Sequence, residues 1–195
     1  IQDMKKLLFF LPFILIACNS TEKKDVKTAF SEVKVEMLLE DSVSIRAIEI
    51  MGQDVAFAGS NGYYGIYNSA DNQVRLNQQQ YDSIFPEFRA VASTSTDFFM
   101  LSVANPALLY KTGDTGQMEL VYKEEGEKVF YDSMTFWNDQ EGIAMGDPVE
   151  NCLSVIITRD GGNTWNKISC DQLPETVEGE AAFAASNSNI SVEGE

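Results

Sequence analysis

The stretch Thr158-Arg159-Asp160-Gly161-Gly162-Asn163-Thr164-Trp165 constrains the fold of this chain more than any other. An aspartate at the head of a glycine-rich turn can accept backbone N–H groups from across it, and the glycines supply positive φ. The threonine hydroxyl can close the loop from the far side, leaving the tryptophan to be buried between neighbouring sheets. Thr158, Asp160, Gly162, Thr164 and Trp165 therefore read as a self-stapling hairpin carrying one aromatic anchor. That is a folding device, and Asp160 takes a structural role in it.

Weaker copies lie upstream. Thr112, Asp114 and Gly116 keep half of the pattern, with Met118 and Glu119 where Thr-Trp would fall, and Ser69 with Asp71 keeps only its start. The three aspartates are 43 and then 46 residues apart, and Arg46 and Arg89 are again 43 apart. A period of roughly 40–50 residues with four short strands per unit is the signature of propeller blades. Alternation and turn residues place the four strands of each unit, A to D, at 44–51, 55–60, 64–69 and 74–78, then 88–93, 98–103, 107–112 and 118–122. A third set falls at 131–137, 142–146, 152–158 and 164–169, and residues 180–185 begin a fourth. The expected fold is all-β: a β-propeller truncated to about three blades (44–87, 88–130, 131–178) plus the first strand of the next unit, 179–195. Residues 33–39 alternate as an outer strand would, and Glu124-Glu125-Gly126-Glu127 reads as a solvated inter-blade loop.

The octet resembles the Asp-box, or bacterial neuraminidase repeat, of sialidase-like propellers. With Ile45-Arg46-Ala47, Phe88-Arg89-Ala90, Gly142 to Pro148 and Gly179 to Ser186, residues 33–195 resemble seven-bladed propellers related to the photosystem II stability and assembly factor. That resemblance implies a non-enzymatic propeller of the bacterial envelope that binds a protein partner, with the strand-start arginines as the ligand patch. Asp132-Ser133 stands where a third arginine would recur.

The N-terminus reads as an export signal beginning at Met4, with Lys5-Lys6 ahead of the apolar run 7–16. Leu15-Ile16-Ala17-Cys18 resembles a lipobox, so residues 1–17 form the signal peptide, Cys18 is lipidated and 18–32 is a tether. A simple signal peptide with an incidental cysteine is the alternative. The expected address is the cell envelope, anchored through Cys18 on the periplasmic or outer-surface side. Cys152 lies six residues before Thr158 and Cys170 six after Thr164, which sets them opposite each other at the hairpin base. An oxidising compartment would then permit a disulfide, whereas a bulge would leave two free thiols.

A net charge of −16 argues against a nucleic-acid partner, because phosphate binding needs clustered Lys and Arg. The chain has no histidine, which removes Ser-His-Asp and Cys-His catalysis and histidine metal ligation. No phosphate-binding or dinucleotide motif is present, so neither metal nor cofactor is expected.

Propeller geometry puts the start of each inner strand on the same face as the B–C loops, opposite the box turns. The candidate ligand-binding rim is therefore Arg46, Arg89, Asn61, Asn105, Asp147 and Glu180, with no catalytic residue assigned. Two arginines on an acidic chain would focus a carboxylate or an acidic protein segment, unless Asp41 and Glu87 neutralise them. Asp147-Pro148 also reads as a plain turn. The competing function is a sialidase-like exo-glycoside hydrolase or a glycan-binding propeller. The hydrolase needs three arginines on the substrate carboxylate, a Tyr–Glu pair and an acid, but Arg75 and Arg159 fall on the box-turn side, leaving only two.

Overall fold

Twelve strands form among the described residues, four to each of three antiparallel sheets. The computed structural model describes residues 32–40, 42–113, 115–183 and 187–193. The chain divides into Ile1–Glu36 and Met37–Glu195, and the sheets belong to the second unit. The signal peptide, Cys18, nearly all of the tether, Asp41 and Asp114 lie outside the described residues.

The first blade contains β1 (Ile45–Met51), β2 (Asp54–Gly59), β3 (Tyr63–Asn68) and β4 (Gln73–Gln78), paired in that order. The second contains β5 (Phe88–Ser93), β6 (Phe98–Ser102), β7 (Ala107–Thr112) and β8 (Met118–Glu124). The third contains β9 (Tyr131–Phe136), β10 (Gly142–Pro148), β11 (Leu153–Thr158) and β12 (Asn166–Lys167). Strands β1, β5 and β9 are the inner strands, with β1 packed beside β5 and β5 beside β9.

The middle blade is covered on both faces, and its sequence shows why it can be. Side chains alternate along a strand, so β6 sends Phe98 and Met100 to the core shared with the first blade. Phe99 and Leu101 go to the core shared with the third. All five residues of β6 are buried, the continuous apolar pattern of a strand packed on both sides. In β1 the alternation is one-sided. Glu49 accepts a 2.8 Å hydrogen bond from Ser93 of the second blade, while Ile48 and Ile50 are exposed.

The third hairpin is stapled as its sequence requires. Asp160 accepts bonds from the Thr164 amide at 2.9 Å, the Thr164 hydroxyl at 2.7 Å and the Thr158 hydroxyl at 2.8 Å. Burial raises the Asp160 pKa, but these hydrogen bonds outweigh it and hold the carboxyl below its ordinary range. The Gly162 amide donates to the Thr158 oxygen at 2.9 Å, and the Trp165 indole N–H donates to the Gly162 carbonyl at 3.2 Å. Gly162 has φ +77°, and a Cβ there would collide with the Phe99 ring. Trp165 is buried edge-on against Phe99 and Phe136, their ring centroids 6.5 and 5.8 Å away.

Several expectations need correction. Residues 32–40 form no strand, and Val33 and Val35 are exposed. Glu180–Phe183 also forms no strand, so the fourth inner strand is not seen within the described residues. In the first hairpin, Ser69 and Asp71 do not staple the turn together. Asp54 accepts the Ser69 amide at 2.8 Å and its hydroxyl at 3.1 Å, whereas Asp71 accepts the Gln73 amide and pairs with Arg75. The second blade repeats this choice, with the Thr112 hydroxyl donating to Asp97 at 3.1 Å. A carboxylate at the head of the second strand, Asp54 starting β2 and Asp97 just before β6, anchors both hairpins, a role the repeat pattern did not disclose.

Glu124 is not a solvated loop residue either. It ends β8 and accepts the Tyr122 and Tyr131 hydroxyls, each at 2.7 Å, while Lys167 pairs with its other oxygen. Burial pushes its pKa up, but Lys167 and the two tyrosines prevail and hold it down. Tyr131 is fully buried, which pushes its phenol well above the ordinary range.

Cys152 and Cys170 are joined, with Cα atoms 5.5 Å apart. The register differs from the sequence expectation by one step. Ile157 faces Asn166 and Ile156 faces Lys167, which would not set the two cysteines opposite each other. The strand stops at Lys167, and Cys170 reaches its partner from a short 3-10 turn, Cys170–Gln172.

Candidate functional site at the inner-strand starts

Each inner strand carries a bulge at its second residue. In β1 the register steps from Ile45↔Gly59 to Ala47↔Ala58 and leaves Arg46 unopposed. In β5 it steps from Phe88↔Ser102 to Ala90↔Leu101 and leaves out Arg89. In β9 it steps from Tyr131↔Gly146 to Ser133↔Met145 and leaves out Asp132. A bulge inserts an extra residue, bends the strand and re-aims a side chain, which is why bulges recur at functional rims.

The same backbone bond closes all three bulges. Ser60 donates to the Ser44 carbonyl and Val103 to that of Glu87, both at 3.0 Å, and Asp147 donates to that of Phe130 at 2.9 Å. The residue opposite the bulge must let the chain approach. A Cβ on Gly59 would strike the Ser44 carbonyl, and one on Gly146 the Phe130 carbonyl. The second blade has Ser102 there, with its hydroxyl accepting the Leu108 amide at 2.9 Å.

The electrostatics change from blade to blade. Arg46 is exposed, and among the described residues it joins no ion pair. Arg89 is half-buried, and its Nε is enclosed without a hydrogen-bond partner. Asp132 is fully buried, and neither carboxylate oxygen has a partner. The neighbouring Ser133 hydroxyl is in the same condition. Burial pushes the Asp132 pKa up to about 6; the nearby Asp147 charge adds to the rise and Arg89 opposes it. Unpaired buried polar atoms are costly, so a cluster of them at one bulge position calls for an explanation in function.

The structure gathers some of the sequence-derived rim and disperses the rest. Arg46 and Arg89 occupy equivalent positions on neighbouring inner strands, and Asp147 follows Gly146 beside Asp132. The Asp147 carboxylate accepts the Ala182 amide at 2.8 Å, so the segment after Gly179 crosses this end of the third blade. Asn61 has φ +56°, and its amide donates to Glu87 at 3.0 Å. Glu87 thus serves the loop and forms no ion pair with Arg89. The Asn105 side chain accepts the Gly126 amide at 3.2 Å, and Glu180 accepts the Val177 amide within its own turn at 2.9 Å. These contacts commit the Asn105 and Glu180 side chains to loop geometry, whereas Asn61 is held through its backbone.

Asp132 is the residue that sequence reasoning noted only as a departure from the arginine pattern, without giving it a role in the site. Its signal was present in its position, 43 residues after Arg89. The bulge that makes the three positions special leaves no mark in composition or periodicity.

Three four-stranded blades packed through their faces around adjacent inner strands define a β-propeller. No protein-family model matches the chain. No curated protein matches it either. Solved structures do. YCF48 bound to a D1 peptide superposes with a TM-score of 0.53 at 10% identity, covering 67% of this chain and 41% of that one. U3-55K gives a TM-score of 0.52 at 11% identity, covering 75% of this chain and 43% of that one. The WD40 repeats of RRP9 match to the same extent, with a TM-score of 0.52 and 11% identity over 75% and 43% of the two chains. Likeness at this identity concerns fold, and the chain spans about two fifths of each matched structure.

Proposed function

We propose that this chain belongs to an envelope-anchored, non-enzymatic β-propeller that binds an acidic protein segment or carboxylate at the rim of its channel, as an assembly or stability factor would. Arg46 and Arg89 are the contacts. The carrying observation is that they hold the same bulged position on adjacent inner strands, and neither is neutralised by an ion pair among the described residues. On a chain of net charge −16, two such cations focus anionic ligands at one place. Asp132 supports the reading by limiting the anion site to the first two blades. The solved YCF48 propeller bound to a peptide is consistent with this mode. The hydrogen bonds of the third-blade turn support the Asp-box resemblance, and a lipidated Cys18 would supply the anchor. A sialidase-type carboxylate clamp would want a third arginine, and the equivalent position here carries Asp132.

The test is binding of a fluorescent acidic peptide with a free C-terminal carboxylate to the full-length protein, followed by anisotropy. Arg46→Ala with Arg89→Ala should weaken binding by at least tenfold, since charge-assisted hydrogen bonds contribute about 1.5–3 kcal/mol each. Unchanged affinity in a folded double variant would refute the assignment, as would release of sialic acid from a sialoside by the wild type.

A further inference from the structure

The two interfaces between blades are built from equivalent positions and both have a buried core, but only one of them is filled by aromatic rings at its C–D turn end. Between the second and third blades, Trp165 packs on Phe99 and Phe136, and Phe99 and Phe136 stack with centroids 4.6 Å apart. One period earlier, between the first and second blades, Ala56 stands for Phe99 and Ser93 for Phe136. In the sequence Glu119 falls where Trp165 does, but the turn of the second blade is one residue shorter between its paired threonine and the returning strand, so register gives the counterpart of Trp165 as Met118. In the second blade Met118 faces Thr112, and one step beyond the Ile157↔Asn166 pair Trp165 comes opposite Thr158. Three aromatic rings are thus replaced by a methyl, a hydroxymethyl and a thioether.

Ser93 is engaged by Glu49, but the space left at Ala56 and Met118 remains open. A cavity of about 730 Å³ lies there, lined by Met51, Ala56, Phe98, Lys111, Gly116 and Met118 among others. Gly116 gives an independent sign of it. A Cβ on Gly162 would strike the Phe99 ring, whereas one on Gly116, at φ +77°, meets no atom within 4 Å. The cavity is at the C–D turn end of the blades, away from the inner-strand starts. Its volume falls within the roughly 300–1,000 Å³ usual for small-molecule sites.

We propose that this cavity binds a small planar aromatic molecule of the indole class, its ring taking the place that Trp165 fills in the next interface. The template is internal to the protein. Trp165 lies edge-on between two apolar walls and donates its N–H to the Gly162 carbonyl. The empty site keeps the apolar walls in Met51, Phe98 and Met118, and keeps a glycine, Gly116, at the acceptor position. Lys111 and Asp97, whose charged ends lie 3.7 Å apart, sit at the same cavity and can receive a polar substituent on the ring. Met51 and Met118 adapt readily to an aromatic edge, since thioethers are flexible and favour such contacts.

The experiment is titration of the full-length protein with indole, followed by calorimetry and by NMR of the methionine methyl groups. One saturable site should appear, with the Met51 and Met118 methyl signals shifting together. Met118→Trp should fill the space from within, raise the melting temperature and weaken indole binding at least tenfold. Ala56→Phe, which restores the opposite wall, should give the same loss, so that either variant decides the matter if the other fails to fold. Absence of saturable binding to the wild type, or undiminished binding to a folded filled variant, would overturn the proposal. Because Arg46 and Arg89 are not part of this cavity, their replacement should leave indole binding unchanged. Loss of indole binding in that double variant would also count against it.

Discussion

Asp132 concentrates the tension in the molecule, because a carboxylate with no hydrogen-bond partner is held where water does not reach. Its pKa is raised in the folded state, so folding takes up a proton in the interval between the ordinary carboxylate range and about pH 6. The contribution of this group to stability is complete below that interval and is lost as pH rises through about 6. Asp132→Asn should therefore stabilise the protein at pH 7.5 relative to pH 4, by about 1–3 kcal/mol of difference in urea unfolding. An equal effect at both pH values would show that the carboxyl is solvated. Trp165 presents the opposite case of a satisfied anchor. Trp165→Ala removes a buried indole and its hydrogen bond, and should cost about 3–5 kcal/mol in the same assay. The sequence discloses these residues unequally. Trp165 sits in a local pattern whose chemistry is complete within eight residues. Asp132 is singled out only by a bulge, which depends on pairing with β10.

At the level of elements, the strands were readable because alternation and turn chemistry act locally. β5 and β7 coincide with the segments read from sequence. Errors collect where tertiary contacts decide. β8 runs on to Glu124 because Tyr122, Tyr131 and Lys167 give that carboxylate buried partners. β12 is cut to two residues because the chain turns at Ser169 to bring Cys170 to Cys152. The disulfide closes a loop with a sequence separation of 18 residues, for which chain entropy gives about 3 kcal/mol. Reduction, or Cys152→Ser with Cys170→Ser, should lower stability by about that amount and loosen β12 first, as seen by amide exchange at Asn166 and Lys167. Uniform loss of protection across all three blades would mean that the bridge supports the whole stack. The first hairpin departs from the box pattern for another reason: Asp71 matches it in spacing, but Asp54, distant in sequence, takes the Ser69 hydroxyl, and in the second hairpin the Thr112 hydroxyl likewise goes to Asp97.

For the molecule as a whole, the period of about 43 residues was enough to give the architecture, since equivalent positions recur in all three blades. It also gave the position of the arginines. What it withheld was which rim side chains are free to act, because those of Asn105 and Glu180 are drawn into loop contacts that only the folded chain reveals. The reading of Cys18 as a lipid anchor leads to a separate expectation. Cys18→Ala should move the protein from the membrane to the soluble envelope fraction, and a variant that stays membrane-bound would disprove the anchor. The central claim is that two bulged inner-strand arginines make one anion site on the channel rim. It is tested most directly by a crystal structure of the full-length protein with an acidic peptide bound. A peptide carboxylate should lie on the inner-strand-start face, within about 2.7–2.9 Å of the guanidinium nitrogens of both Arg46 and Arg89. A peptide seated on the C–D turn face, or guanidinium groups turned inward to pair with Asp132 and Asp147, would contradict it.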